Sequence, residues 1–262
     1  RMYEFASVEK EPLGKEHIKV FESLKIENLS FRFAGRSQLL KDINLDVNKN
    51  ECIAIVGESG CGKSTLGQVI QKFYPFENGK IILNNKQSLK EINTEDWRNI
   101  LGVIPQDITV FNGNIIDNIL LGKEDNVENI VKFCKDFGFE KFVSELPQGY
   151  ATILGEEGIN LSGGQKQLLA LMRALYKKPQ LLLLDEFTSA MDRKTEQFVL
   201  DLLIKLKQEI SIIFISHRLH SLKHLADRIY IIENGNSNTS GTHEKLLETD
   251  NFYSQFWHNL LD

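Results

Sequence analysis

The sequence predicts an α/β fold: a mostly parallel sheet with helices on both faces. Three observations carry that reading. Short apolar runs, Cys52-Ile53-Ala54-Ile55-Val56, Leu181 to Leu184 and Ile212 to Ile215, have the length and unbroken hydrophobicity of buried parallel strands. Helical patterns at about Thr195 to Lys207 and Leu219 to Ala226 separate the later strands, and strands alternating with helices build parallel sheets. The first run leads into Gly57-Glu58-Ser59-Gly60-Cys61-Gly62-Lys63-Ser64-Thr65, which fits the phosphate-loop pattern G-x-x-x-x-G-K-[ST].

The elements follow in order. Residues 1 to about 22 are mixed and charged and read as a linker. Alternation from Leu24 to Phe33 argues for a half-exposed strand, and Ile43 to Val47 repeats the signal. Cys52 to Val56 ends in glycine, and a helix starts within the glycine loop and runs through Leu66 and Val69 to about Phe73. Val103-Ile104 is a strand that delivers Gln106. Residues from about 107 to 177 are mainly helical, with breaks at Gly113, Gly122, Gly138 and Pro147-Gln148-Gly149. Leu181 to Leu184, Ile210 to Ile215 and Arg228 to Ile232 complete the strands. The chain carries no internal repeat and no coiled-coil heptads.

Bulk properties narrow the class. A chain of 262 residues buries a substantial core, as one large or two small domains. The net charge of -5 argues against a nucleic-acid partner, which needs a basic face. Cys52, Cys61 and Cys134 show no C-x-x-C or zinc spacing and fit a reducing, cytosolic compartment. The apolar runs are too short to cross a bilayer, and no signal peptide is visible. The chain opens on Arg1, as expected of a piece of a longer polypeptide or of a tag scar.

The chemistry-bearing residues sit at strand ends. A strand–glycine loop–helix unit aims backbone N–H groups and the positive end of a helix at one point, which suits a polyphosphate. Gly57, Gly60 and Gly62 let the backbone approach phosphate, Lys63 reaches the β- and γ-phosphates, and Ser64 ligates Mg²⁺. A chance glycine turn is the alternative; the strand before it and the carboxylates after it count against that. Asp185 and Glu186 follow a buried strand. Asp185 is expected to hold Mg²⁺, and Glu186 to polarise an attacking water. Gln106 and His217 leave two further strands beside them. A neutral His217 imidazole there is placed to bond the γ-phosphate and orient Glu186.

Leu161-Ser162-Gly163-Gly164-Gln165, followed by Leu181-Leu182-Leu183-Leu184-Asp185-Glu186, narrows the reading to one superfamily. The order and spacing resemble the nucleotide-binding domain of an ATP-binding-cassette (ABC) transporter, from about Phe21 to the C-terminus. Phe111-Asn112-Gly113-Asn114-Ile115, Asp117-Asn118-Ile119, Leu146 to Tyr150, Gly155-Glu156-Glu157-Gly158, Gly241 to Leu246 and the aromatics Phe252, Tyr253, Phe256 and Trp257 resemble its exporter type. Arg1 to Phe5 resembles the exit of a last transmembrane helix. Within exporters the chain looks closest to peptide or bacteriocin exporters and toxin secretion ATPases. Met191, Phe187, Leu168 and Glu157 depart from the commoner leucine, alanine or proline, arginine and arginine; none is a catalytic position.

The resemblance implies a P-loop NTPase core, an N-terminal antiparallel β subdomain and an inserted α-helical subdomain at about 107–177. It implies a linker from a transmembrane domain over 1–22 and an ABC ATPase domain over 23–262, at the cytoplasmic face of a membrane. ATP and Mg²⁺ are the implied cofactors. The metal set is Ser64, Gln106 and Asp185, and the catalytic set Glu186, His217, Lys63 and Gln106. Phe33 stands where an aromatic stacks on adenine. Glu58, Ser59, Cys61 and Thr65 complete the nucleotide loop. Ser162, Gly163, Gly164 and Gln165 start a helix and offer a second phosphate cradle, which implies a head-to-tail pair of domains sharing ATP. Ser189-Ala190-Met191-Asp192 then crosses the dimer centre, and the stretch before Ser162 faces a membrane domain of the same polypeptide. Soluble ABC ATPases of DNA repair carry long coiled-coil insertions, and translation-associated ones carry two cassettes; this chain shows neither. A non-enzymatic nucleotide sensor is disfavoured because Glu186 and His217 are both present.

Overall fold

The structure, a computed structural model, describes residues 14–155 and 159–258. Arg1 to Phe5 and Glu156-Glu157-Gly158, cited above for resemblance, lie outside the described residues. The strands are β1 (Ser23–Phe31), β2 (Leu40–Asn48), β3 (Cys52–Gly57), β4 (Asn78–Leu83), β5 (Gln87–Ser88), β6 (Leu101–Ile104), β7 (Gly113–Asn114), β8 (Ile153–Leu154), β9 (Leu181–Asp185), β10 (Ser211–Ile215), β11 (Arg228–Glu233) and β12 (Asn236–Gly241). The helices are α1 (Lys63–Ile70), α2 (Thr94–Ile100), α3 (Ile115–Leu120), α4 (Val127–Asp136), α5 (Glu140–Ser144), α6 (Gly163–Tyr176), α7 (Arg193–Leu206), α8 (Leu219–Leu222), α9 (His243–Leu247) and α10 (Phe252–His258).

The central sheet has the order β12-β11-β3-β10-β9-β6. All neighbours pair parallel except β12, which returns antiparallel on β11. A second sheet, β2-β1-β4-β5, is antiparallel. Side chains alternate across a strand, so each central strand feeds two cores. Leu182 and Leu184 of β9 join the core under α3 to α7, whereas Leu181 and Leu183 join the core shared with the antiparallel sheet and α1. All four are fully buried.

The helical stretch caps the first core. Three helix starts around it carry a side-chain cap: Asn114 closes a capping box with Asp117 on α3, Asn126 accepts from the Glu128 N–H on α4, and Asp192 accepts from Lys194 and Thr195 on α7. This stretch also holds one two-stranded pair, β7 with β8, which its helical pattern does not signal. Two residues per strand are too few to show a period.

Other boundaries differ from the sequence reading. The helix expected to reach Phe73 ends at Ile70, because Lys72 turns into the left-handed region at φ 66. The helix expected over Leu219 to Ala226 is regular only to Leu222. The strand expected to reach Phe33 ends at Phe31. β4, β5, β12, α2, α9 and α10 carry no periodicity long enough to announce them. Residues 14–22, expected as linker, pack on the domain: Glu16 bridges to Ile92, and Ile18 and Phe21 are buried.

Leu183 lies at the crossing of β9 and α1, where the Gly67 position sits against Leu183 and Ile215. Leu183→Ala is expected to cost about 2–5 kcal/mol of stability, as large-to-small changes at fully packed sites do. Urea denaturation followed by circular dichroism reads this directly.

Candidate functional site

Strand register assembles the site. Ile215 of β10 stands opposite both Ile55 of β3 and Asp185 of β9, and Ile104 of β6 stands opposite Leu184. Gly57, Gln106 and His217 each follow two residues after one of these paired positions, and Glu186 follows one residue after Asp185. All four strands therefore release chemistry-bearing residues at one carboxyl edge, the usual ligand side of an open α/β sheet.

The phosphate loop links β3 to α1. Gly62 caps α1 at φ 105, with the Leu40 side chain 2.6 Å from where a Cβ would sit; only glycine fits both restraints. Glu58, Ser59 and Gly60 are exposed, while Cys61 and Thr65 are half-buried. Lys63 is buried, and its Nζ donates to the carbonyl oxygens of Gly57 at 2.9 Å and Glu58 at 2.8 Å. Its ammonium thus lies inside the loop, solvated by two carbonyl dipoles.

At the second residue of α1, the Ser64 hydroxyl donates to Asp185 Oδ1 at 3.0 Å. Burial pushes the Asp185 carboxyl above its ordinary range, the Ser64 bond pulls it down, Glu186 pushes it up and Lys63 pulls it down. A half-buried carboxylate with one neutral partner favours a cation. Among the described residues no group of three His, Cys, Asp or Glu is placed to hold a metal. The Ser64–Asp185 pair nevertheless fits Mg²⁺, a hard cation that takes oxygen donors and shares its shell with phosphates and water.

Glu186 lies beside that pair. Gln106 Nε2 donates to Glu186 Oε2 at 3.0 Å, and His217 Nδ1 lies 3.1 Å from Glu186 Oε1. Glu186 has φ 48, a left-handed conformation rare for a residue with a side chain. The structure brings Lys63, Ser64, Asp185, Glu186, Gln106 and His217 together, as the sequence reading expects. Gln106 reaches Glu186 itself, where a contact to metal or water was expected. Phe33 is half-buried, edge-on to Phe31 and to Tyr74 at centroid distances of 5.0 and 5.3 Å. Tyr74 is a second aromatic that the sequence reading passes over.

Ser162 to Gln165 stand apart from this cluster. Ser162 caps α6: its Oγ accepts from Gln165 N at 3.3 Å, and its own N–H donates to Gln165 Oε1 at 2.9 Å. The cap leaves the hydroxyl proton free to donate, and Ser162 and Gly163 are exposed. A Cβ at Gly163 would fall 2.7 Å from the Ala190 side chain, so glycine lets α6 close on the loop after Glu186.

The sequence reading also misses polar residues that tie the helical part to the sheet. Arg173 Nε donates to Asn118 O, and Arg173 Nη1 donates to Thr109 O just beyond Gln106. Burial lowers Arg173 to about 10, which leaves it charged at neutral pH. A lone cation inside Leu168-Leu169-Ala170-Leu171-Met172-Arg173-Ala174-Leu175 is the available signal. Gln167, buried on the same helix, is another.

A glycine cradle with a buried lysine, a serine–aspartate pair and an oriented glutamate define a nucleoside-triphosphate hydrolase site. The family model described as ABC transporter matches residues 40–189, more than half of the chain. The chain belongs to the ABC transporter family, as its ATP-binding, ATP-hydrolysing domain. It is 39% identical over 233 residues to a candidate export ATP-binding/permease protein of Rickettsia bellii, covering 88% of this chain and 40% of that protein. It is 37% identical over 251 residues to a candidate multidrug export ATP-binding/permease protein of Staphylococcus aureus, covering 95% of this chain and 43% of that one. A solved bacterial Atm1-family ABC exporter with ATP bound superposes with a TM-score of 0.90 at 31% identity, covering all of this chain and 47% of that one. The chain thus spans less than half the length of these proteins. They bear out the resemblance to exporter-type domains.

Cys52 and Cys134 are fully buried and desolvation raises both thiols, Cys134 to about 11; Cys61 is the partly exposed one. Alkylation of the folded chain is expected to label one thiol, Cys61, and to abolish nucleotide binding, with ATP protecting it. Mass spectrometry after iodoacetamide treatment checks the site, and retained ATP binding by Cys61-alkylated protein would refute the second half.

Proposed function

We propose that this domain powers export across a membrane as part of a longer ABC transporter, lying at the cytoplasmic face beside a transmembrane domain of the same polypeptide. The observation that carries it is the Glu186 carboxylate held between Gln106 and His217, beside the Ser64–Asp185 pair. The phosphate-loop N–H groups and Lys63 bind the β- and γ-phosphates, and the Lys63 ammonium exchanges its carbonyl partners for phosphate oxygen. Ser64 and Asp185, with the Gln106 amide oxygen, would hold Mg²⁺. When bound, Mg²⁺ supplies charge neutralisation on the phosphates. Glu186 orients a water in line with the γ-phosphorus and takes its proton. As a neutral imidazole His217 has one N–H to give: it orients the Glu186 carboxylate through Nδ1, or donates from Nε2 to the γ-phosphate once nucleotide is bound. Phe33 stacks on adenine.

The second cradle needs a second copy. Ser162 and Gly163, exposed at the start of α6, meet the γ-phosphate held by a partner domain packed head to tail. Residues 189–192 then lie at the centre of the pair. Closure on ATP and opening after hydrolysis drive the membrane part. A peptide is the cargo class that the sequence resemblance favours; the Staphylococcus aureus relative is named for multidrug export.

Hydrolysis measured against protein concentration tests this reading, with size-exclusion chromatography in ATP–Mg²⁺. Wild-type specific activity is expected to rise with concentration. Glu186→Gln is expected to lose about 10²-fold or more in turnover and to elute as an ATP-dependent dimer. Flat activity per monomer together with an active, monomeric Glu186→Gln would sink both the shared site and the role of Glu186. Asp185→Asn is expected to weaken ATP binding in Mg²⁺ more than in EDTA, since it removes the only carboxylate of the proposed metal set; equal loss in both, read by equilibrium binding of a fluorescent ATP analogue, would speak against a metal there.

A further inference from the structure

We propose that Arg218 is a positioning residue for ATP hydrolysis, fixing the turn that carries Glu186. The proposal rests on the reading of Glu186 as the group that activates water. Glu186 sits at φ 48, and a side-chain-bearing residue stays there only when its surroundings over-determine the backbone. Those surroundings are on two sides. Glu186 N donates across to Ile215 O of β10 at 2.9 Å, and within the turn Ser189 N donates to Glu186 O at 3.2 Å and Met191 N to Thr188 O at 3.2 Å.

From the β10 side, the Arg218 fork spans two successive carbonyls, Nη1 to Thr188 O at 3.2 Å and Nη2 to Ser189 O at 2.7 Å. Arg218 is itself held. Its backbone N donates to Ser216 Oγ at 2.9 Å, and its guanidinium lies 3.9 Å from Glu196, which accepts from Ser221 Oγ at 2.6 Å. From the α6 side, Gln167 Nε2 donates to Ser189 Oγ at 3.2 Å, and Ala190 N donates to Gln167 Oε1 at 3.3 Å.

Arg218 directly follows His217, and its guanidinium reaches past that histidine to the turn beyond Glu186. One side chain thus clamps the two segments whose separation sets the Glu186–His217 contact. Its planar fork suits two carbonyls at once; a lysine ammonium can serve as a point donor but cannot reproduce that plane. Gln167 holds the same turn from the helix that Ser162 caps, so the turn is gripped from β10 and from α6.

Arg218→Ala and Arg218→Lys, measured beside wild type and Glu186→Gln, test the role. The readouts are kcat and KM for ATP at protein concentrations that saturate activity. Arg218→Ala is expected to lose about 10²-fold in kcat, the scale of misplaced catalytic groups, with KM within about threefold of wild type. Arg218→Lys is expected to recover part of the kcat and not all of it. Wild-type kcat in Arg218→Ala overturns the proposal, as does a loss of kcat matched by an equal rise in KM. Full recovery in Arg218→Lys also overturns it, and this variant carries the test alone if the alanine variant fails to fold. If Glu186→Gln retains turnover, the reading of Glu186 falls and the proposal falls with it. If Glu186→Gln is dead while Arg218→Ala turns over normally, the positioning role alone is wrong.

Discussion

The hydrogen-bond register of the central parallel sheet is the constraint on which the site depends. Ile55, Ile215 and Asp185 stand level across β3, β10 and β9, and Leu184 stands level with Ile104 of β6. A slip of one residue in any pairing would turn alternate side chains to the wrong face. Asp185 would leave the face that α1 covers, and Ser64 would lose its partner. Near-continuous apolar sequence on both faces of these strands excludes such slips energetically, since each strand has one core on either side.

Helix α1 converts that register into the Ser64–Asp185 pair. Gly67 lies over Leu183 and Ile215 with almost no clearance, so the helix approaches the sheet closely. Ser64 sits nearly one turn before Gly67, and Asp185 sits two residues beyond Leu183, so the close crossing sets them within a hydrogen bond. The charge arrangement is similarly enforced. Lys63, Asp185 and Glu186 share a region in which burial disfavours the Asp185 anion, the kind of perturbed charged cluster that gathers at functional sites.

The helical part packs on the sheet through one shared apolar core, and a few directional bonds are added to it. Arg173 reaches from α6 to the carbonyl of Thr109, close after Gln106, and to Asn118 on α3. The Ala190 segment nests on Gly163 and Gly164. Displacement of α6 is therefore felt both at the segment after Gln106 and at the turn after Glu186. The departures Leu168, Phe187 and Met191 are all buried apolar residues of this region, which accounts for their chemistry as packing.

Local rules and motif spacing determined much of this protein. Unbroken apolar runs specified β3, β9 and β10, because a strand buried on both faces has no polar side to show. The glycine loop specified a strand–loop–helix phosphate cradle, because its geometry is set within nine consecutive residues. The identities of Lys63, Ser64, Asp185, Glu186, Gln106 and His217 were legible at strand ends. Short elements such as β5, β7 and β8 were not, since two residues carry no period. Tertiary structure alone decided that Gln106 and His217 grip opposite oxygens of Glu186, and that Arg218 and Gln167 hold one turn from two sides. Those contacts join residues from 22 to 80 positions apart, and no local pattern records a distance that only the sheet register and the helix crossings create.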